Sequence, residues 1–155
     1  MLQQICEEMH NYFRDDDRNH DGTFTIADGT ISLPFMLDGQ RFLIVGSVLN
    51  DGMYTYHSEG IKNDDDTAEV GLQDETFTGT ICALAVPPAV IALSAEVKAW
   101  VDKYGESSNS PYTSESVIGV YSYTKAQSTS ATGSKPISWK DMFSDRLKTY
   151  RKVAF

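Results

Sequence analysis

The sequence predicts an α+β fold: a small antiparallel β-sheet or barrel-like section over residues 22–86, with a helix before it and two amphipathic helices after it. Three observations predict this. Apolar residues recur at three- and four-residue intervals at the start of the chain and again after Pro87. Between these stretches the chain is rich in Thr, Ile, Val, Phe and Tyr. That middle section is punctuated by Asp28-Gly29, Asp38-Gly39, Asn50-Asp51-Gly52 and Gly71, residues that tolerate positive φ in tight turns.

In chain order, the first element is a helix over 1–14, where Leu2, Ile5, Met9 and Tyr12 or Phe13 make an apolar stripe. Four or five strands follow, centred on Thr23–Ile26, Thr30–Phe35, Arg41–Val48, Met53–His57 and Thr76–Val86. Phe42, Ile44 and Gly46 alternate with Leu43, Val45 and Ser47, so both faces carry apolar residues and a curved, partly covered sheet is expected. The acidic run within Ser58–Asp74 reads as a solvated loop. Pro87 and Pro88 open a helix over 87–104, with Val90, Leu93, Val97, Trp100, Val101 and Tyr104 on one face and Gly105 at its end. A segment over 111–126 is extended and lies between Ser-rich links. Ser138, with Asp141 three residues on, caps a last helix over 138–152.

With 155 residues, the chain reads as one domain, 1–155, that buries about two-thirds of the surface its unfolded form exposes. Cys6 and Cys82 stand far apart, and Glu7 and Glu8 interrupt any apolar leader, so free thiols in a reducing cytoplasm are expected. The most apolar stretch, Ile81–Leu93, is broken by Pro87 and Pro88, which argues against a membrane span.

The net charge of −9 is unevenly placed. From Lys135 onward, six basic residues face only Asp141 and Asp145, whereas the first 134 residues hold 7 basic and 20 acidic side chains. An acidic body repels phosphate, which argues against a sequence-reading nucleic-acid binder. The basic tail reads either as complement to a helix C-terminus or as a docking element against an acidic neighbour or nucleic acid.

Catalysis finds little footing. His10, His20 and His57 are scattered, no Gly-x-Ser-x-Gly elbow or P-loop occurs, and neither cysteine has a histidine beside it in sequence. The chain is therefore expected to be no enzyme and to carry no cofactor. One metal motif stands out: Asp17, Asn19, Asp21, Gly22, Thr23 and Asp28 follow the spacing of an EF-hand calcium loop. Asp28 is shorter than the usual glutamate at the last position, and GTISLPF after it is strand-like where a helix should leave. An acidic turn leading into the β-section competes with Ca2+ binding for this stretch.

Partner contact is better represented. Tyr112, Tyr121 and Tyr123 mix with Ser114, Ser116 and Ser122 in a segment too polar for a core, the composition favoured at protein interfaces. The alternative is an edge strand packed on its own domain.

The order of a Pro-initiated helix, a short Ser-Pro link, SESVIGVYSYTK (Ser114–Lys125) and a basic amphipathic helix resembles the head-to-tail connector, or head-completion, proteins of tailed bacteriophages. Ser114, Glu115, Ser116, Gly119, Tyr121, Ser122 and Tyr123 carry the pattern. GSVLNDGMYTY and DETFTGTI, ahead of AVPPAVIAL, resemble a variant from phages and prophages of Gram-positive hosts. The chain differs from the commoner, nearly all-helical connectors in its long β-section, and Val120 stands where many members place a turn residue.

The resemblance implies a structural virion subunit at the head–tail junction, made in the host cytoplasm, that joins copies of itself into a ring of about twelve. It implies contacts to portal and tail or neighbouring connector proteins through Ser114, Glu115, Ser116, Tyr121, Ser122, Tyr123, Arg151 and Lys152. DNA passes nearby without sequence-specific binding, which the acidic body would suit. Another small tail component, or a calcium-dependent interaction module, is the alternative.

Overall fold

Alternation along Arg41–Val45 sets the architecture, because Phe42 and Ile44 bury in one apolar cluster and Leu43 in another. A strand apolar on both faces needs cover on both sides. A computed structural model describes residues 1–105, 114–117, 121–124 and 138–153. Its elements are α1 Leu2–Glu8, β1 Arg14–Ala27, β2 Thr30–Ile31, β3 Arg41–Val45, β4 Gly52–His57, β5 Gly60–Lys62, β6 Glu75–Leu84 and α2 Pro88–Tyr104. They continue with β7 Ser114–Val117, β8 Tyr121–Thr124, α3 Trp139–Met142 and α4 Ser144–Lys148.

The first six strands form one antiparallel sheet in the order β2-β1-β6-β3-β4-β5, and its two outer strands approach each other. The result is a nearly closed barrel within an α+β fold. Ile26, Leu33, Phe42, Ile44, Phe77 and Ile81 fill its interior. On the outer face, Leu43, Met53, Cys82 and Leu84 pack against the helices, whose contribution includes Leu2, Ile5, Val90, Leu93, Val97, Trp100, Phe143 and Leu147. Helix and barrel thus share β3 and β6 as a common wall.

Gly46 and Gly79 set how closely this wall packs. A Cβ on Gly79 would stand 2.2 Å from the Val45 carbonyl oxygen, and Gly46 takes φ 94° with its own Cβ position 3.2 Å from Gly79 Cα. Only glycine allows that approach.

The turns follow their chemistry. Asp28 (φ 53°) and Gly29 (φ 73°) make the two-residue link between β1 and β2, both in the left-handed region that a tight hairpin demands. Gly39, at φ 77°, donates its amide to the Tyr56 carbonyl and starts the β3–β4 pairing.

Several boundaries differ from expectation, each for a physical reason. The first helix stops at Glu8 rather than running to 14. His10 (φ 52°) and Phe13 (φ 54°) reverse the chain, Asn11 Oδ1 accepts from the Phe13 amide, and Asn11 Nδ2 donates to the Tyr150 carbonyl. The sheet begins at Arg14, not near 22. Between the pairs Arg14↔Leu84 and Asn19↔Cys82, β1 advances five residues while β6 advances two, so the acidic Asp15–Arg18 run forms a bulge. The run within Ser58–Asp74 is no free loop, since it holds β5 and folds back so that Asp64 accepts from the Gln3 amide at 3.0 Å, capping α1. The expected helix 138–152 is two short helices. Its capping box, Ser138 with Asp141, is present. The helix is interrupted at Phe143 (φ −102°, ψ 11°), with Phe143 and Leu147 both buried, and the chain then leaves the helix for the Lys152 amide to donate to the Met9 carbonyl at 3.0 Å. The helix from Pro88 to Tyr104 stands as expected, with Gly105 at φ 63° closing it.

Candidate functional site

Within Ser114–Lys125 the described residues form a two-stranded sheet of their own. Strands β7 and β8 pair antiparallel with Ser114 opposite Thr124, Glu115 opposite Tyr123, Ser116 opposite Ser122 and Val117 opposite Tyr121. By register, Ser114, Ser116, Ser122 and Thr124 fall in one set, while Glu115, Val117, Tyr121 and Tyr123 fall in the other. Among the described residues this two-stranded sheet makes no strand pairing with the barrel. Tyr112, Gly119, Val120, Lys125 and the Ser-rich links lie outside the described residues.

The basic tail is used largely at home. Lys140 Nζ lies 2.7 Å from Glu8 Oε2, Arg151 Nη2 lies 3.1 Å from Glu8 Oε1, and Arg151 also donates to the Glu8 carbonyl at 3.2 Å. Glu8 is the last residue of α1, so these cations also complement its C-terminal carbonyls. Arg146 holds Glu96 of α2 in a two-pronged pair, and its hydrogen bonds keep the Glu96 carboxyl below its usual range. Arg151 is therefore partly committed within the chain. Lys152 is exposed and forms no ion pair among the described residues.

Most of the EF-hand-like stretch lies along β1, leading into the β-section. Asp17 sits in the β1 bulge, and Asn19, Asp21 and Thr23 follow as alternate strand residues paired to β6. Alternate residues stand roughly 6.5–7 Å apart along an extended strand, so their oxygens do not converge as an EF-hand loop makes them. Asp21 Oδ1 accepts from Thr80 Oγ1, and Thr23 Oγ1 shares a hydrogen bond with Thr78 Oγ1 at 3.0 Å. Asp28 lies beyond, in the turn to β2.

One constructed feature has only weak sequence signal. The turn from β3 to β4, Gly46–Asp51, is held by Glu75 at the start of β6. Glu75 accepts from Ser47 Oγ, from the amides of Val48 (3.0 Å) and Leu49 (3.4 Å), and from Asn50 Nδ2 (3.0 Å). These donors, the Ser47 hydroxyl first, hold the Glu75 carboxyl below its usual range. Asn50 locks the base, donating to the Gln73 carbonyl at 2.9 Å and accepting from the Gln73 amide at 2.8 Å. The fixed turn displays Val48 at 88% and Leu49 at 50% exposure. Two consecutive apolar residues between turn formers were the available clue.

At the other end of β6, a hollow of about 320 Å3 is lined by Arg18, His20, Phe35, Met36, Leu37 and Ala83, among others. His20 and Phe35 stack with ring centroids 3.7 Å apart, making a flat aromatic wall. Leu37 is 67% exposed at its rim. Among the described residues no three of His, Cys, Asp and Glu are grouped to hold a metal, and no helix is long and apolar enough to cross a membrane. Comparison of the chain with protein-family models, curated proteins and solved structures returned no match.

Proposed function

We propose that the chain is a non-enzymatic structural subunit of the head-to-tail connector of a tailed bacteriophage or prophage, assembling with copies of itself into a ring. The observation that carries this reading is the separate hairpin. Ser114, Glu115, Ser116, Tyr121, Ser122 and Tyr123, which bear the connector pattern, lie in a two-stranded sheet separate from the barrel sheet, with no barrel strand paired to it among the described residues. An isolated hairpin is at best marginal in water, and unpaired edges accept strands from another chain. A well-packed body carrying such a hairpin suits an assembly strap.

Charge supports the same reading. Lys140, Arg146 and Arg151 pair with Glu8 and Glu96, so much of the basic tail is occupied within the chain, whose net charge is −9. Such a balance suits a channel wall past which DNA slides without sticking. Portal and tail or neighbouring connector proteins are the proposed outer partners, and the virion the proposed location.

Removing Ser114–Lys125 tests the strap. The shortened protein should keep the thermal transition of the body and lose self-assembly. A large drop in Tm would instead make the segment part of the core and remove the reading.

A further inference from the structure

The described residues include five large apolar side chains exposed at their surface, Phe35, Leu37, Val48, Leu49 and Val153. Four of them fall at two places on the barrel. Val48 and Leu49 form the Glu75-held knob; Phe35 and Leu37 edge the hollow. These places lie at opposite ends of the barrel: the knob follows β3 and the Phe35–Leu37 segment precedes it. Glu75, which holds the knob, and Ala83, which lines the hollow, are eight residues apart on β6, a span of roughly 26 Å.

We infer that the Val48–Leu49 knob of one copy of this chain seats in the Phe35–Leu37 hollow of the next. The hollow of about 320 Å3 has the room of about ten water molecules. The two features are complementary in charge. Asp51 and Glu75 flank the knob, whereas Arg18 lines the hollow. Arg18 is 61% exposed and its intrachain partner Asp15 stands 3.5 Å away, so the guanidinium can reach an incoming carboxylate.

The knob is pre-organised. Hydrogen bonds from Ser47, Val48, Leu49 and Asn50 to one carboxylate fix the backbone before contact, so little ordering entropy is lost on docking. A knob at one end and a hollow at the other make a heterologous contact, which propagates head to tail and closes into a ring where the rotation allows. The inference rests on the self-assembly part of the connector reading, but uses a surface distinct from Ser114–Thr124.

Variants Val48→Cys and Leu37→Cys of the full chain, each adding one exposed cysteine, test it, joined by a short bismaleimide at high protein concentration. Cys6 and Cys82 are buried and do not compete. The mixture should give covalent dimers, the double variant a ladder of dimer, trimer and higher species, and either single variant alone neither. Val48→Asp should abolish the ladder in the double variant's Leu49→Cys/Leu37→Cys counterpart with Tm unchanged, because Val48 is a surface residue. No crosslink in the mixture, or crosslinks only between like variants, overturns the inference. Rings that form without the mixed crosslink overturn this contact and keep the connector reading; mixed crosslinks in open chains keep the contact and remove the ring.

Discussion

Glu75 Oε1 accepts the Val48 amide at 3.0 Å, so a carboxylate at the start of β6 holds the turn that leaves β3. The turn depends on the charged form of that carboxylate. Its donors hold the pKa below the ordinary value of 4.5. The unfolded chain then binds more protons than the native one in that window, so stability rises with pH there. The contribution is complete above about pH 4.5 and is lost as pH falls through the lowered native value. Glu75→Gln should narrow the difference between the Tm values at pH 7 and pH 4. Parallel curves for the variant and parent would contradict the clamp.

Gly79→Ala tests the shared wall of the barrel. The added methyl would meet the Val45 carbonyl oxygen at 2.2 Å, and that atom belongs to backbone fixed in the sheet. We expect a loss of about 1–3 kcal/mol, as for other over-packed sites, read from the denaturant midpoint. An unchanged midpoint would show that β3 and β6 yield easily.

The C-terminal helices should be held by packing rather than by charge. Leu147 is 3% exposed in the helical cluster, so Leu147→Ala should cost about 2–5 kcal/mol. Arg146 and Glu96 are 51% and 46% exposed, so Glu96→Ala should cost less than about 1 kcal/mol despite the two-pronged geometry. The opposite ranking in urea unfolding would overturn this view.

Burial pushes the Cys6 thiol up to about 12, with the nearby Asp64 and Glu7 charges adding to the effect, and Cys82 is raised by burial in the same cluster. Both are free and buried. At pH 8 the native protein should resist thiol reagents, and both cysteines should label once it is unfolded. Rapid native labelling would show that the helices open from the barrel.

Local chemistry was legible where it acts over a few residues. Pro88, the stripe from Val90 to Tyr104 and Gly105 defined α2, and Asp28-Gly29 marked its turn. Long-range pairing was not legible. Aspartates disfavour strands, yet Asp15–Asp17 lie in β1 as an unpaired bulge between Arg14 and Asn19, which pair with β6 on either side. Asp64 caps α1 from 61 residues away, and no local pattern announces it. Nor do His10 and Phe13 resemble helix stops, although their positive φ ends the first helix early. The candidate interface divided in the same way: Ser114–Lys125 stood out by composition, whereas the knob at Val48–Leu49 depends on Glu75, distant in sequence.

Electron microscopy of the purified full-length protein at high concentration tests the central claim most directly. The account predicts closed rings of uniform diameter that disappear when Ser114–Lys125 is removed. Monomers throughout, with no ring formed alone or on a portal assembly, would contradict it.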